Sequence, residues 1–232
     1  MEKIKELREQ YEHKKIRIAE RLNEFEKLFS EPYSWFYSNN EMKLAKVETD
    51  DNARIFEELC FCIFTANASA EMGLKAVDAV RNVLRSGTHE DMTRRLEGIY
   101  RFVNVRPAYI VHTRNYLDSE HNFMLKEKIS SFSNRYDLRE FFASNKGIKG
   151  LGFKEASHFL RNIGFKGYAI LDKHIINSLF ELGVIPTNDK PRNKKEYLAM
   201  EQKFIGFSKD IGIDMDELDL LLWSRKNGRI MK

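Results

Sequence analysis

The stretch "GIKGLGFKEASHFL", residues 147–160, decides how the rest of the chain is read. Glycines stand at 147, 150 and 152, and an amphipathic helix (153–163) opens directly after the last of them. Helical spacing in "YDLREFFASN" (136–145) precedes them, so two helices meet through a hairpin at 146–152. Glycine reaches positive φ without steric cost, which so tight a turn needs, and here it leaves backbone N–H groups facing outward. Such groups at a helix N-terminus take a phosphate without reading base sequence. Taken alone, the pattern also fits a plain helix–turn–helix corner with no ligand. A nucleotide-binding P-loop is excluded. Counted from Gly147, the second glycine falls correctly at 152, but the lysine comes one place late at 154 and Glu155 follows it. No strand precedes the loop either.

Lys154 is the second residue of the helix, where the macrodipole is already positive. That position disfavours the ammonium form and leaves more neutral amine, the form a nucleophile needs. Eighteen residues on (154 to 172), "AILDKHI" places Asp172 at the N-cap of the next helix. An N-cap carboxylate is an anion held by helix N–H groups, suited to offset a developing cation. Alone, Asp172 reads as a plain cap and Lys154 as a solvated lysine. Falling within one short unit, they read as a nucleophile and an anion.

Outward from this unit, the spacing is helical. Ile18, Leu22, Phe25 and Leu28 form a stripe that ends before Pro32. Residues 52–69 predict a strongly apolar central helix, and 70–87 the next one, closed by Gly87. Further helices are expected over 89–99, 106–118, 172–183, 195–212 and 214–228, with a polar, proline-containing linker at 183–195. Alternation of the β type is scarce, so the class is all-α. We expect one domain over 1–232, built from two helical subdomains (1–50 plus 185–232, and 51–184) flanking a DNA-binding cleft. The composition is that of an ordinary globular chain with a mildly basic net charge of +4, compatible with a nucleic-acid partner. Two cysteines, Cys60 and Cys62, lie in an apolar run and read as buried thiols; their number excludes a disulfide scaffold and a four-cysteine cluster. The charged N-terminus lacks a signal-peptide core and no apolar run spans a membrane, so we expect a reducing, cytoplasmic compartment.

A hairpin with G-L-G-x-K and an aspartate eighteen residues on resembles the helix–hairpin–helix DNA glycosylase superfamily. The blocks "ELCFCIFTANASAEMG", "GIKGLGFKEASHFLRNIGF", "AILDKHI" and "ELDLLLWSRKNGRIMK" are similar to its archaeal-type 8-oxoguanine branch over about residues 55–232. The iron–sulfur branch is unlike this chain, which has no cysteines near its C-terminus. The resemblance implies a bifunctional glycosylase and AP lyase. Lys154 matches the Schiff-base nucleophile and Asp172 the catalytic aspartate. Asn67 matches an asparagine approaching the gap left by the flipped base, and His174 a histidine near the DNA backbone. Trp223 and Lys232 match residues that hold the damaged base, although Trp223 also fits a core anchor beside Leu218 and Leu222, and Lys232 a frayed end. The amides of Gly150 and Gly152 would hold a phosphate. The partner implied is double-stranded DNA carrying 8-oxoguanine or abasic sites, met by a monomer at the nucleoid. The family leaves room for a monovalent cation at hairpin carbonyls and requires no other cofactor. Two rival readings use less of the chain: a lyase or glycosylase for other lesions needs no Trp223…Lys232 ending, and a non-catalytic DNA-binding module needs neither Lys154 nor Asp172.

Overall fold

The computed structural model describes residues 2–39 and 41–232, the side chains of 226 and 227 excepted. Its elements run α1 (Glu2–Ser30), β1 (Tyr33–Ser38), β2 (Glu41–Lys46), α2 (Asp51–Thr65), α3 (Ala70–Val80), α4 (His89–Leu96), α5 (Val105–His121) and α6 (Leu125–Ser130). They continue with α7 (Arg135–Ser144), α8 (Phe153–Asn162), α9 (Lys173–Glu181), α10 (Lys194–Ile211) and α11 (Met215–Asn227). The fold is helical, as the spacing predicts. In α1, Ile18, Phe25 and Leu28 of the expected stripe are buried and Leu22 packs at its edge.

α2 is the central element. Asp50 caps it, its two carboxylate oxygens accepting N–H bonds from Asn52 and Ala53 at 3.0 Å each. From Phe56 onward almost every side chain is buried, including the free thiols of Cys60 and Cys62. The helix stops four residues short of the expected end. Ala66 turns extended, Asn67 takes φ of 61°, and the Ser69 hydroxyl caps α3 by accepting from Met72 N–H. A sequence rich in helix formers is thus cut by one cap and one left-handed asparagine, a residue that tolerates that conformation. α3 likewise ends early, giving way to a 3₁₀ turn before Gly87.

Two elements lie outside the expected set. One is the short helix α6, which still keeps to the helical class. The other is an antiparallel hairpin in which β1 pairs with β2 through Trp35 opposite Leu44, turning at Asn39 with φ of 53°. Its strands of six residues are too short to show against helical spacing. The hairpin packs on α1 and α3 and buries Trp35 beneath the chain's C-terminus.

α1 packs against α11, α2 and α8, and α9 packs against α11, so both ends of the chain close onto the central helices. The apolar core is one continuous cluster. Among the described residues, no helix is long and apolar enough to cross a membrane.

Candidate active site

The hairpin between α7 and α8 forms as the glycines require. Gly150 has φ of +85°, and a Cβ there would fall 2.8 Å from Cδ2 of Tyr109. Conformation and space both demand glycine. Gly152 is different: it is extended and precedes the first residue of α8. Its amide is already engaged, donating to Oε2 of Glu155 at 3.2 Å. For Gly152 to hold a phosphate, Glu155 must first swing aside.

Lys154, in the first turn of α8, lines a cavity of about 650 Å³. Its ammonium lies 3.9 Å from Oε1 of Glu155, and its side chain is about one-quarter exposed. Asp172 lines the same cavity and is the N-cap of α9. Its Oδ1 accepts from the backbone N–H groups of His174 and Ile175 at 2.8 Å each. Its Oδ2 accepts from the indole N–H of Trp223 at 3.0 Å. Three N–H donors therefore converge on this carboxylate and fix both oxygens. A hydrogen bond to a charged acceptor is worth about 1.5–3 kcal/mol, so Trp223 and Asp172 orient each other.

All six side chains singled out beyond the hairpin line this cavity: Asn67, Lys154, Asp172, His174, Trp223 and Lys232. Trp223 is half-buried rather than a core anchor; Leu218 and Leu222 take the core role beside it. Its indole ring stands nearly perpendicular to His174, 6.4 Å away. Asn67 is exposed at the tip of the α2–α3 loop, whose carbonyls at Ala66 and Asn67 accept from Arg106 and Arg101. Lys232 is no frayed end. Its ammonium is buried 2.5 Å from Oε2 of Glu58 on α2, and 3.9 Å over the Phe61 ring. The other oxygen of Glu58 accepts from Asn162 of α8 at 2.7 Å. The last residue of the chain is thereby bolted to the two central helices. Gly150 and Gly152 are not among the cavity's walls.

Among the cavity's lining residues, three buried ionisable side chains went unread in the sequence: His158, Arg161 and Asp219. His158 is one turn beyond Lys154 on α8. It is buried, its Nδ1 has no hydrogen-bond partner, and burial beside Arg161, Lys154 and Lys232 pushes its imidazole well below the usual range, so the ring is neutral. Asp219 is one turn before Trp223 on α11. Burial pushes its carboxyl up to about 7, against the pull of the Arg161 guanidinium 3.4 Å away. Its Oδ1 is also without a partner. Spacing carried the signal for both, since residues four apart share a helical face. Glu58 had a different signal, a carboxylate inside an apolar run, which demands a buried partner.

The arrangement offers an amine nucleophile, a fixed carboxylate, an aromatic wall and buried acceptors inside one concave space. Among the described residues, no three His, Cys, Asp or Glu side chains gather to hold a metal ion.

Comparison with known proteins agrees with this geometry. Residues 38–213 match the pattern of the 8-oxoguanine DNA glycosylase family (Ogg-HhH). The chain is similar to the 8-oxoguanine DNA glycosylase/AP lyase of Korarchaeum cryptofilum, at 37% identity over 77% of this chain and 82% of the relative. It is also similar to that of Fusobacterium nucleatum, at 35% identity over 92% of this chain and 98% of the relative. Among solved structures, the Methanocaldococcus jannaschii 8-oxoguanine glycosylase/lyase, in complex with a 15-mer DNA containing 8-oxoguanine, superposes over the full length of both chains. The TM-score is 0.83 and the identity 31%.

Proposed function

The chain belongs to the 8-oxoguanine DNA glycosylase family, and we propose that it excises 8-oxoguanine from DNA and cuts the strand as an AP lyase. The observation that carries this reading is the shared cavity: Lys154 and Asp172 line it together, and the carboxylate is fixed by Trp223, itself a wall.

A base inside a duplex must be turned out before it can be processed. The extruded base enters between the Trp223 indole and the α8 wall. There the orphaned Oδ1 of Asp219 is an acceptor for ring N–H or amino N–H groups of a guanine-type base, and neutral His158 adds a buried nitrogen. Lys154 attacks C1′ of the deoxyribose through its amine as the N-glycosidic bond breaks. The Asp172 carboxylate offsets the positive charge that develops on the sugar. The base leaves carrying a proton shed by the Lys154 nitrogen. The C1′–O4′ bond of the sugar ring then opens with O4′ taking a proton, and the resulting imine joins Lys154 to C1′. Loss of a C2′ proton and of the 3′ phosphate by β-elimination then cuts the strand 3′ to the lesion. The hairpin, which leads into the N-terminus of α8, supports the DNA backbone, and Asn67 meets the gap in the duplex. A monovalent cation, if bound at hairpin carbonyls, would tie the turn to a phosphate; no step depends on it. The enzyme works as a monomer on chromosomal DNA in the cytoplasm.

The test is borohydride trapping on duplexes carrying one 8-oxoguanine, one undamaged guanine or one abasic site. Wild type is expected to trap on the lesion and the abasic duplex, and Lys154→Gln on neither. Trapping only on the abasic duplex would make the protein a lyase or a glycosylase for another base. Intact DNA binding with no trapping would leave a non-catalytic module.

A further inference from the structure

We propose that Tyr197 and Glu201 of α10 are positioning residues for Asp172, an inference that rests on the catalytic reading above. Residues 165–172 join α8 to α9 and, apart from a bend at Gly167, have no regular secondary structure. Within the segment the backbone closes one short turn, Asp172 N–H to the Ile170 carbonyl at 2.7 Å, ahead of the N-cap. The three residues before Asp172 are also tied at three points to side chains of one helix. Ala169 N–H donates to Oε1 of Glu201 at 3.0 Å. The Tyr197 hydroxyl donates to the Ala169 carbonyl at 2.6 Å and accepts from Leu171 N–H at 3.3 Å. These bonds set the path of the chain into the N-cap.

The support behind them is also polar and buried. Glu201 is fully buried, and Arg139 of α7 holds its carboxylate with two bonds of 2.6 and 2.8 Å. Arg139 also reaches Oγ of Ser157 at 3.3 Å, and the Tyr197 hydroxyl lies 3.4 Å from the same oxygen. Ser157 sits on α8, three residues beyond Lys154. The network therefore joins the backbone that delivers Asp172 to the helix that carries Lys154.

Stability alone does not account for it. A buried ion pair is a weak stabiliser, and apolar residues of the same shape often serve as well. Apolar residues could not accept from Ala169 N–H or donate to its carbonyl. Tyr197 also packs its ring on Phe153, the first residue of α8, at 5.6 Å between centroids. The ring contact and the hydroxyl contacts are separable by substitution. Asp172 is thus held twice: its carboxylate by Trp223 and α9, its backbone by α10. A shift of about 1 Å in a positioned catalytic group can cost roughly 100-fold in rate.

The test is Tyr197→Phe, which keeps the ring and removes the hydroxyl. Single-turnover excision of 8-oxoguanine is measured with enzyme in excess, alongside affinity for a duplex with an uncleavable abasic analogue. Excision by Tyr197→Phe should slow about 10- to 100-fold, with affinity for the analogue within about twofold. In an Asp172→Asn background, Tyr197→Phe should add less than about twofold, because the residue acts through Asp172. Multiplicative losses in the double variant, or an unchanged rate in the single one, would overturn the proposal. A second pair holds if Tyr197→Phe folds poorly. Arg139→Met with Glu201→Gln keeps an acceptor for Ala169 N–H and should excise near the wild-type rate. Arg139→Met with Glu201→Leu lacks it and should be slow; equal rates would refute the role of Glu201. Absence of excision by wild type itself would instead remove the catalytic reading on which this rests.

Discussion

Substituting Glu58 by glutamine asks whether the chain's last residue is held as the geometry indicates. Glu58 and Lys232 have side chains 4% and 1% exposed, with Nζ and Oε2 2.5 Å apart. Glutamine keeps the shape and can still accept from the Asn162 amide, but it leaves the Lys232 ammonium buried without the carboxylate it is bonded to, with Glu57 as the remaining nearby anion. Removing one partner of a buried pair costs about 3–5 kcal/mol. The retained bond to Asn162 places this variant near the lower end, about 3 kcal/mol. In a chain of 232 residues, each kcal/mol moves the melting temperature by roughly 2–4 °C. The expected fall is therefore about 6–12 °C by calorimetry. Removing both charges, as Glu58→Gln with Lys232→Met, should restore the melting temperature to within about 3 °C of wild type, because no charge is then left unpaired. Excision of 8-oxoguanine should not recover with it, since the cavity has lost its Lys232 wall, whereas strand cleavage at a preformed abasic site should persist. A melting temperature within about 2 °C of wild type for the single variant would show that Glu58 does not hold Lys232.

Other perturbations separate the remaining parts. Extending the chain past Lys232 should damage base excision more than AP lyase activity; equal loss of both, or none, would remove Lys232 from the pocket. Asp219 titrates at about 7 in the fold against an ordinary 3.8, so the unfolded chain gives up this proton first and the group's contribution to stability falls as pH rises between those values. Wild type should therefore lose stability relative to Asp219→Asn from pH 4 to 7 in urea titrations, and a difference that stays constant with pH would refute a buried, raised carboxyl. Gly150→Ala combines a left-handed backbone with the Tyr109 clash and should cost about 2 kcal/mol or more, with weaker DNA binding. Gly183→Ala, at φ of +76° but with open space around it, should cost only about 1 kcal/mol; equal costs would show that Tyr109 yields.

What the sequence made legible, and what it hid, follows from how far apart the interacting groups lie. Lys154 and Asp172 were legible because each announces itself locally, one as a cation in the first turn of a helix and the other as an N-cap. Gly150 was legible because a tight turn between two helices demands positive φ. The β1–β2 hairpin was not, because two six-residue strands carry too little alternation to compete with helical spacing on both sides. The end of α2 was misplaced because helix propensity continues through "ANAS", and only Ser69 acting as a cap for α3 shows where the chain turns.

The cavity's walls divide along the same line. The carboxylate of Asp172 meets Trp223 across 51 residues, Glu58 meets Lys232 across 174, and Glu201 meets Ala169 across 32. No window of sequence contains such pairs. Two of them begin with a polar group whose local setting cannot satisfy it, Glu58 within an apolar helix and the Ala169 N–H in a segment with no ladder. In the other, Trp223 reaches the one Asp172 oxygen that α9 leaves uncapped. Burial makes such groups costly unless a partner arrives from elsewhere. The groups proposed to react are thus placed by local rules, at helix starts, while the segment leading into Asp172 and the carboxylate itself are held by distant partners. On this reasoning, beyond Lys154 and Asp172 themselves, the substitutions that slow catalysis while sparing DNA binding lie on α10, the helix whose side chains hold the backbone leading into Asp172.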